Sequence, residues 1–135
     1  MQSTVKSNAT FEGMGLHSGK PAQIVVQPAS ANYGIWFRRV DVTDQDNLGP
    51  AKWHAVERSP LCTRVVNEAG IAVSTIEHLM AALAGCGVSN ALIDIDGPEV
   101  PILDGSSAPF VRGLLEKGVL AQGVPLRAIE VLETV

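Results

Sequence analysis

The order of elements legible in this 135-residue sequence predicts an α+β fold, a two-layer domain in which a mixed, mostly antiparallel sheet of about five strands carries two helices on one face. Three observations lead there. Short stretches rich in Thr, Val, Ile and Phe, partly alternating as in a strand with one buried face, occupy much of the first half and recur later. Two segments, after Ser74 and after Ser106-Ser107, instead space their apolar residues three and four apart, the period of a helix. Gly and Pro punctuate the joins between them. An apolar share of 46%, with only 4% aromatic, suffices for a core of Val, Ile, Leu and Ala, and the length fits a single domain over residues 1–135.

Residues 2–11 and 22–28 read as two strands joined by a turn containing Gly13, Gly15 and Gly19. Residues 34–40 are the third strand, and the polar run 41–50 is a surface loop. Residues 63–67 and 71–73 flank Glu68-Ala69-Gly70 as a short hairpin. The first helix opens on a capping box, with Ser74 as N-cap and Glu77 reaching back to it. Ile76, Leu79, Met80, Leu83 and Cys86 then form one apolar stripe, and Gly85 and Gly87 end the helix. Residues 89–95 read as a strand, after which Pro98 and Pro101 keep 96–101 irregular. Ser106 or Ser107 caps a second helix whose Phe110, Val111, Leu114 and Leu115 lead to Gly118. Residues 128–135 make a last strand. A chain ending on an apparently intact strand is what a domain cut from a longer protein looks like.

A net charge of −4 offers no basic field for phosphate backbones or anionic lipid, which argues against nucleic-acid binding. The apolar runs fall short of the ~20 residues that span a bilayer, and Met1-Gln2-Ser3-Thr4 starts no signal peptide. The expected location is the cytoplasm. There, Cys62 and Cys86 stay free thiols, Cys86 as packing.

Glu77-His78 is the strongest candidate for chemistry. A carboxylate beside an imidazole offers a metal hydrolase one neutral nitrogen ligand and one general base. The competing reading, an ordinary helix start with Glu77 closing its capping box, is compatible with the first, since a carboxylate in the first turn stays ionised. His78 points off the Ile76 stripe toward the small Ala81 and Ala82. Neither His-Glu-x-x-His nor its inverse is present. His17 lies in a glycine-rich turn that imitates a nucleotide loop, but a strand, not a helix N-terminus, follows it. His54 reads as surface or packing. Asp104, in the loop entering the second helix, either lines a site or shapes a turn, and Cys62 has no neighbouring base to make it a nucleophile.

Together, Gly15-Leu16-His17-Ser18-Gly19, Phe37-Arg38-Arg39, Leu61-Cys62-Thr63, the segment Ser74-Thr75-Ile76-Glu77-His78-Leu79 with Ala81-Ala82-Leu83-Ala84-Gly85, and the segment from Pro98 to Ser106 with Ala108-Pro109-Phe110-Val111 resemble the N-terminal domain of the UDP-3-O-acyl-N-acetylglucosamine deacetylases. The resemblance runs in order over nearly the whole chain. It implies a zinc-dependent amidase that removes acetate from the UDP-linked, 3-O-acylated amino sugar in lipid A synthesis. It also implies two similar α+β domains of the ribosomal protein S5 domain 2-like type, their helices packed between the sheets and the active site at their junction. In that scheme His78 is a zinc ligand, Glu77 the general base, Leu61 and Cys62 line the approach for substrate, and His17 and Asp104 are polar residues close to the site. Pro60 departs from the larger apolar residue expected before that leucine.

The resemblance also implies what is missing. In the family a His and an Asp from a second domain complete the zinc site, together with a His that acts as general acid, and no such motif occurs in these residues. The expectation is therefore a half that binds zinc weakly and is inactive by itself. The alternative is a stand-alone, non-catalytic binding or regulatory module derived from that domain. An apolar patch of Leu114, Leu115 and the outer side of the first helix would favour the half.

Overall fold

The computed structural model describes residues Met1 to Val135. Its main sheet has five strands: β2 (Ala9–Met14), β3 (Pro21–Pro28), β4 (Ile35–Arg39), β5 (Leu48–Pro50) and β9 (Ala91–Ile95), in the spatial order β2-β3-β9-β4-β5. Only β4 and β9 run parallel. Strand alternation sends Ala9, Phe11, Ile24, Val26, Ile93, Ile95 and Phe37 to one face, and the register lines them up, with Ala9 opposite Val26, Val26 opposite Ile93 and Phe37 opposite Ile93. The opposite face carries Arg38 across from Asp94, joined through two hydrogen bonds of 2.6 and 2.8 Å.

Both helices cover the apolar face, as the α+β reading predicts. Helix α1 (Glu77–Gly85) buries Leu79, Ala82 and Leu83; α2 (Ala108–Lys117) buries Phe110 and Leu114. Phe110 meets Phe11 of β2 edge-to-face with ring centroids 5.1 Å apart, and Gly113 on the next turn leaves the space that the Phe11 ring occupies.

Two smaller sheets flank the main one. β1 (Ser3–Val5) pairs with β10 (Val119–Ala121), and β6 (Val56–Glu57), β7 (Arg64–Val66) and β8 (Ala72–Ser74) form a meander. The predicted hairpin is thus present as β7 and β8, outside the main sheet. The predicted strand over 2–11 is two strands, because the polar Lys6-Ser7-Asn8 turns the chain, and β1 leaves for β10, with Lys6 N–H donating to the Gly118 carbonyl at 2.8 Å.

Three further expectations fail. Residues 48–50, read as the end of a surface loop, are strand β5 and pair with β4. Residues 128–135 are not a strand: none of them makes a backbone–backbone hydrogen bond, and Ile129, Val131 and Leu132 are largely exposed. Apolar, strand-prone residues form a strand only where an edge is available to pair with, and none meets this segment. The capping box is also absent. Ser74 is the last residue of β8, with its N–H on the Pro98 carbonyl (2.8 Å) and its carbonyl accepting from Val100 N–H (3.1 Å). Extended pairing on both sides leaves it unable to cap. Ile76 caps α1 instead, Glu77 is its first residue, and no side chain bonds back to the helix start.

Candidate active site

Thr75 lies between β8 and α1 with φ of +59°, a left-handed conformation that a β-branched residue adopts only when its surroundings impose it. That turn redirects the chain from the meander into α1 and presents Glu77 and His78 in the first helical turn. Glu77 Oε2 accepts from the Thr63 N–H at 3.1 Å, and the Ile76 N–H donates to the Thr63 carbonyl at 3.3 Å. The residue after Cys62 is therefore fastened to the start of α1 from both sides. Glu77 is half-buried, with one carboxylate oxygen held by this bond and the other taking none from the protein.

His78 is half-buried, and its carbonyl accepts from Ser107 Oγ at 2.8 Å, which joins α1 to the entrance of α2. Of the two alanines expected to leave room beside it, only Ala81 is exposed; Ala82 is core. Across the 135 residues no three His, Cys, Asp or Glu side chains converge as a metal would require. His78 is chemically a suitable zinc donor, but it is a single donor.

Next to this junction is a cavity of about 300 Å³ lined by His17, Ser18, Leu61, Cys62, Arg64 and Glu99 among others. It unites His17, Leu61 and Cys62, three of the residues singled out in the sequence; Glu77, His78 and Asp104 do not line it. Leu61 is 76% exposed and Leu16 59%, giving apolar side chains to that surface, whereas Cys62 is half-buried with Sγ 3.4 Å from Ser59 Oγ. The Arg64 Nε lies 2.8 Å from a Glu57 carboxylate oxygen without the alignment of a hydrogen bond, and both side chains are substantially exposed, so this ion pair adds little stability.

Asp104 does something local. It is exposed, and its Oδ1 accepts from the Ser106 N–H (2.9 Å) and hydroxyl (2.7 Å), which hold the carboxyl below its ordinary range and shape the turn into α2.

The residue that sequence reasoning passed over is Glu99. It is 2% exposed and accepts from the Thr75 hydroxyl (2.6 Å), the Ser18 N–H (2.8 Å) and the His17 N–H (3.1 and 3.2 Å to its two oxygens). Burial pushes its carboxyl up, but the Thr75 hydroxyl and the two backbone donors outweigh that and hold it below the ordinary value. Gly15 is required here because a Cβ would strike the Glu99 carboxylate and the Ser18 hydroxyl. The available signal was its position between Pro98 and Pro101, which fixes the backbone around one carboxylate.

The outer side of α1 consists of exposed Ala81, Ala84 and Gly85, with no charged residue, and Leu115 of α2 is 59% exposed while Leu114 is fully buried. The anticipated patch therefore lacks Leu114 and comes down to small side chains on α1 and to Leu115 on α2.

The sequence also matches known proteins over almost its full extent. Relatives named UDP-3-O-acyl-N-acetylglucosamine deacetylase include those of Phenylobacterium zucineum, 50% identical over 134 residues, and Vibrio campbellii, 44% identical over 134 residues. Each match takes in 99% of this chain but only 46% and 44% of the relative, so the chain spans somewhat less than half the length of these proteins. The model of the UDP-3-O-acyl N-acetylglycosamine deacetylase family matches residues 2–135, and with this arrangement of Glu77, His78 and the adjoining cavity in place, the chain belongs to that family.

Proposed function

We propose that these residues form one half of a zinc-dependent deacetylase that converts UDP-3-O-acyl-N-acetylglucosamine to UDP-3-O-acyl-glucosamine and acetate in lipid A synthesis, in the cytoplasm. The observation that carries the reading is the Glu77 carboxylate, held by one oxygen on the Thr63 N–H with its other oxygen free, at the first turn of α1 beside His78. A base for hydrolysis needs a fixed orientation and a free lone pair, and both are supplied. In this proposal His78 gives one ligand to a zinc ion whose remaining ligands come from a second domain outside this chain. Zinc bound there supplies a water of lowered pKa and polarises the acetyl carbonyl. Glu77 would be the group that takes a proton, at its free oxygen. Leu61 offers apolar surface for the acyl chain, and His17 and Cys62 face the same cavity.

The exposed, uncharged side of α1 supports a half that is covered in the complete protein over a free-standing module. Acetate release from the UDP-sugar by a full-length protein containing this chain tests the reading. Glu77→Gln should lower kcat at least ~100-fold with KM little changed, the span expected on losing a general base. Wild-type turnover by that variant would remove Glu77 from the mechanism.

A further inference from the structure

We infer that Glu99 is a positioning residue, a buried carboxylate that clamps the His17-Ser18 turn to Thr75 and thereby sets where Glu77 and His78 stand relative to the cavity. This rests on the proposed role of Glu77 and His78.

Glu99 joins two walls of the site that are far apart in the chain. No Lys or Arg pairs with it among the ion pairs of the structure, so its charge is balanced by hydrogen-bond donors alone. A buried carboxylate without donors would be severely destabilising, so the donors and the carboxylate must be arranged together. Two donors are backbone N–H groups of the glycine-rich turn, which brings His17 to the cavity; the third is the hydroxyl of Thr75.

Thr75 is the pivot. Its left-handed φ persists because its hydroxyl is bound to Glu99 while the neighbouring Ser74 is paired to Pro98 and Val100 on either side of the same residue. Two residues later comes Glu77, and the helix axis starts from that junction. Releasing the Thr75 hydroxyl lets the junction relax and turns the first turn of α1, moving the Glu77 carboxylate off the Thr63 N–H. A fold clamp with no bearing on the site would leave those atoms where they are.

Glu99→Gln, Thr75→Val and Thr75→Ser separate the possibilities. Valine keeps the β-branch and loses the hydroxyl; serine keeps the hydroxyl. In a full-length protein containing this chain, Glu99→Gln and Thr75→Val should lower kcat about 10- to 100-fold with KM within about twofold, and Thr75→Ser should recover most of the loss. In the 135-residue chain, the imidazole resonances of His78 should shift in Glu99→Gln and Thr75→Val while amides of β9 stay in place. If Glu99→Gln does not fold, Thr75→Val carries the test. An unchanged kcat, a change in KM alone, or unmoved His78 resonances in folded Thr75→Val overturns the clamp. Absence of turnover by the unsubstituted protein overturns the deacetylase reading instead, and the His78 resonances then decide the clamp by themselves.

Discussion

Replacing Gly15 by alanine tests the packing of the glycine-rich turn on Glu99 without replacing any charged group. The added Cβ would fall on a Glu99 carboxylate oxygen and on the Ser18 hydroxyl, closer than such atoms ever approach, so the turn must move away. Overpacking of this kind costs about 1–3 kcal/mol. The movement also lengthens the bonds from the Ser18 and His17 N–H groups, and a hydrogen bond to a charged acceptor contributes about 1.5–3 kcal/mol. His17 and Ser18 are exposed, so water recovers part of that loss, and the net destabilisation expected is about 2–4 kcal/mol. In a chain of this size that corresponds to a Tm lower by roughly 6–16 °C. Urea and thermal unfolding followed by circular dichroism at pH 7 give the value. Gly85→Ala is the control, because Gly85 ends α1 with open space around its Cβ position and should lose nothing. A Gly15→Ala penalty under ~0.5 kcal/mol would refute the close approach of turn and carboxylate.

Acid should weaken the fold through the same carboxylate. Glu99 is held below its ordinary value of 4.5, so the stability it contributes is complete above that pH and is lost as pH falls through the lower folded value. Unfolding free energies measured from pH 6 to pH 2 should fall less steeply in Glu99→Gln than in the unsubstituted chain; parallel curves would contradict the shift. Gly113→Ala sets two effects against each other: alanine favours a helix by about 1 kcal/mol, but its Cβ would run into the Phe11 ring, and the net result should be destabilisation by about 1–2 kcal/mol. A more stable Gly113→Ala would mean that the Phe11–Phe110 pair yields freely. Calorimetric zinc titration of the 135-residue chain should find no submicromolar site, since no three His, Cys, Asp or Glu side chains converge on His78. Tight binding by the monomer would show that other side chains converge on it.

The helices and the central strands were legible because their apolar residues repeat at the period of the element and face a single core. The residues after Ser74 show the limit of such local reading. Ser-Thr-Ile-Glu has the form of a capping box, but Ser74 was already engaged by Pro98 and Val100, and Glu77 found its donor at Thr63, 14 residues earlier. Glu99 was obscured for the same reason: its partners lie 82, 81 and 24 residues away, and a carboxylate between prolines looks alike whether it faces water or holds a site together. Residues 128–135 have the Ile and Val content of a strand, but pairing is a property of two segments, and only one can be read from that stretch. His17, Leu61 and Cys62 could be named singly; their convergence on one cavity required the fold.

The pairing of β1 with β10 bears on how the chain is made as well as on how it stands. Val5 registers with Val119, and the side chain of Gln2 meets Asn90, which in turn bonds Gln122. This strand therefore takes some of its partners, Ala29 and Asn32, from nearby in the chain and its sheet partner from more than a hundred residues on. Loop closure over such a span precedes any gain from the contact, which slows folding and leaves that edge of β1 unpaired until the loop has closed. Until β10 docks, that edge of β1 stays open to pairing with another chain, and a chaperone that shields residues 3–5 would be expected to raise the yield of folded protein.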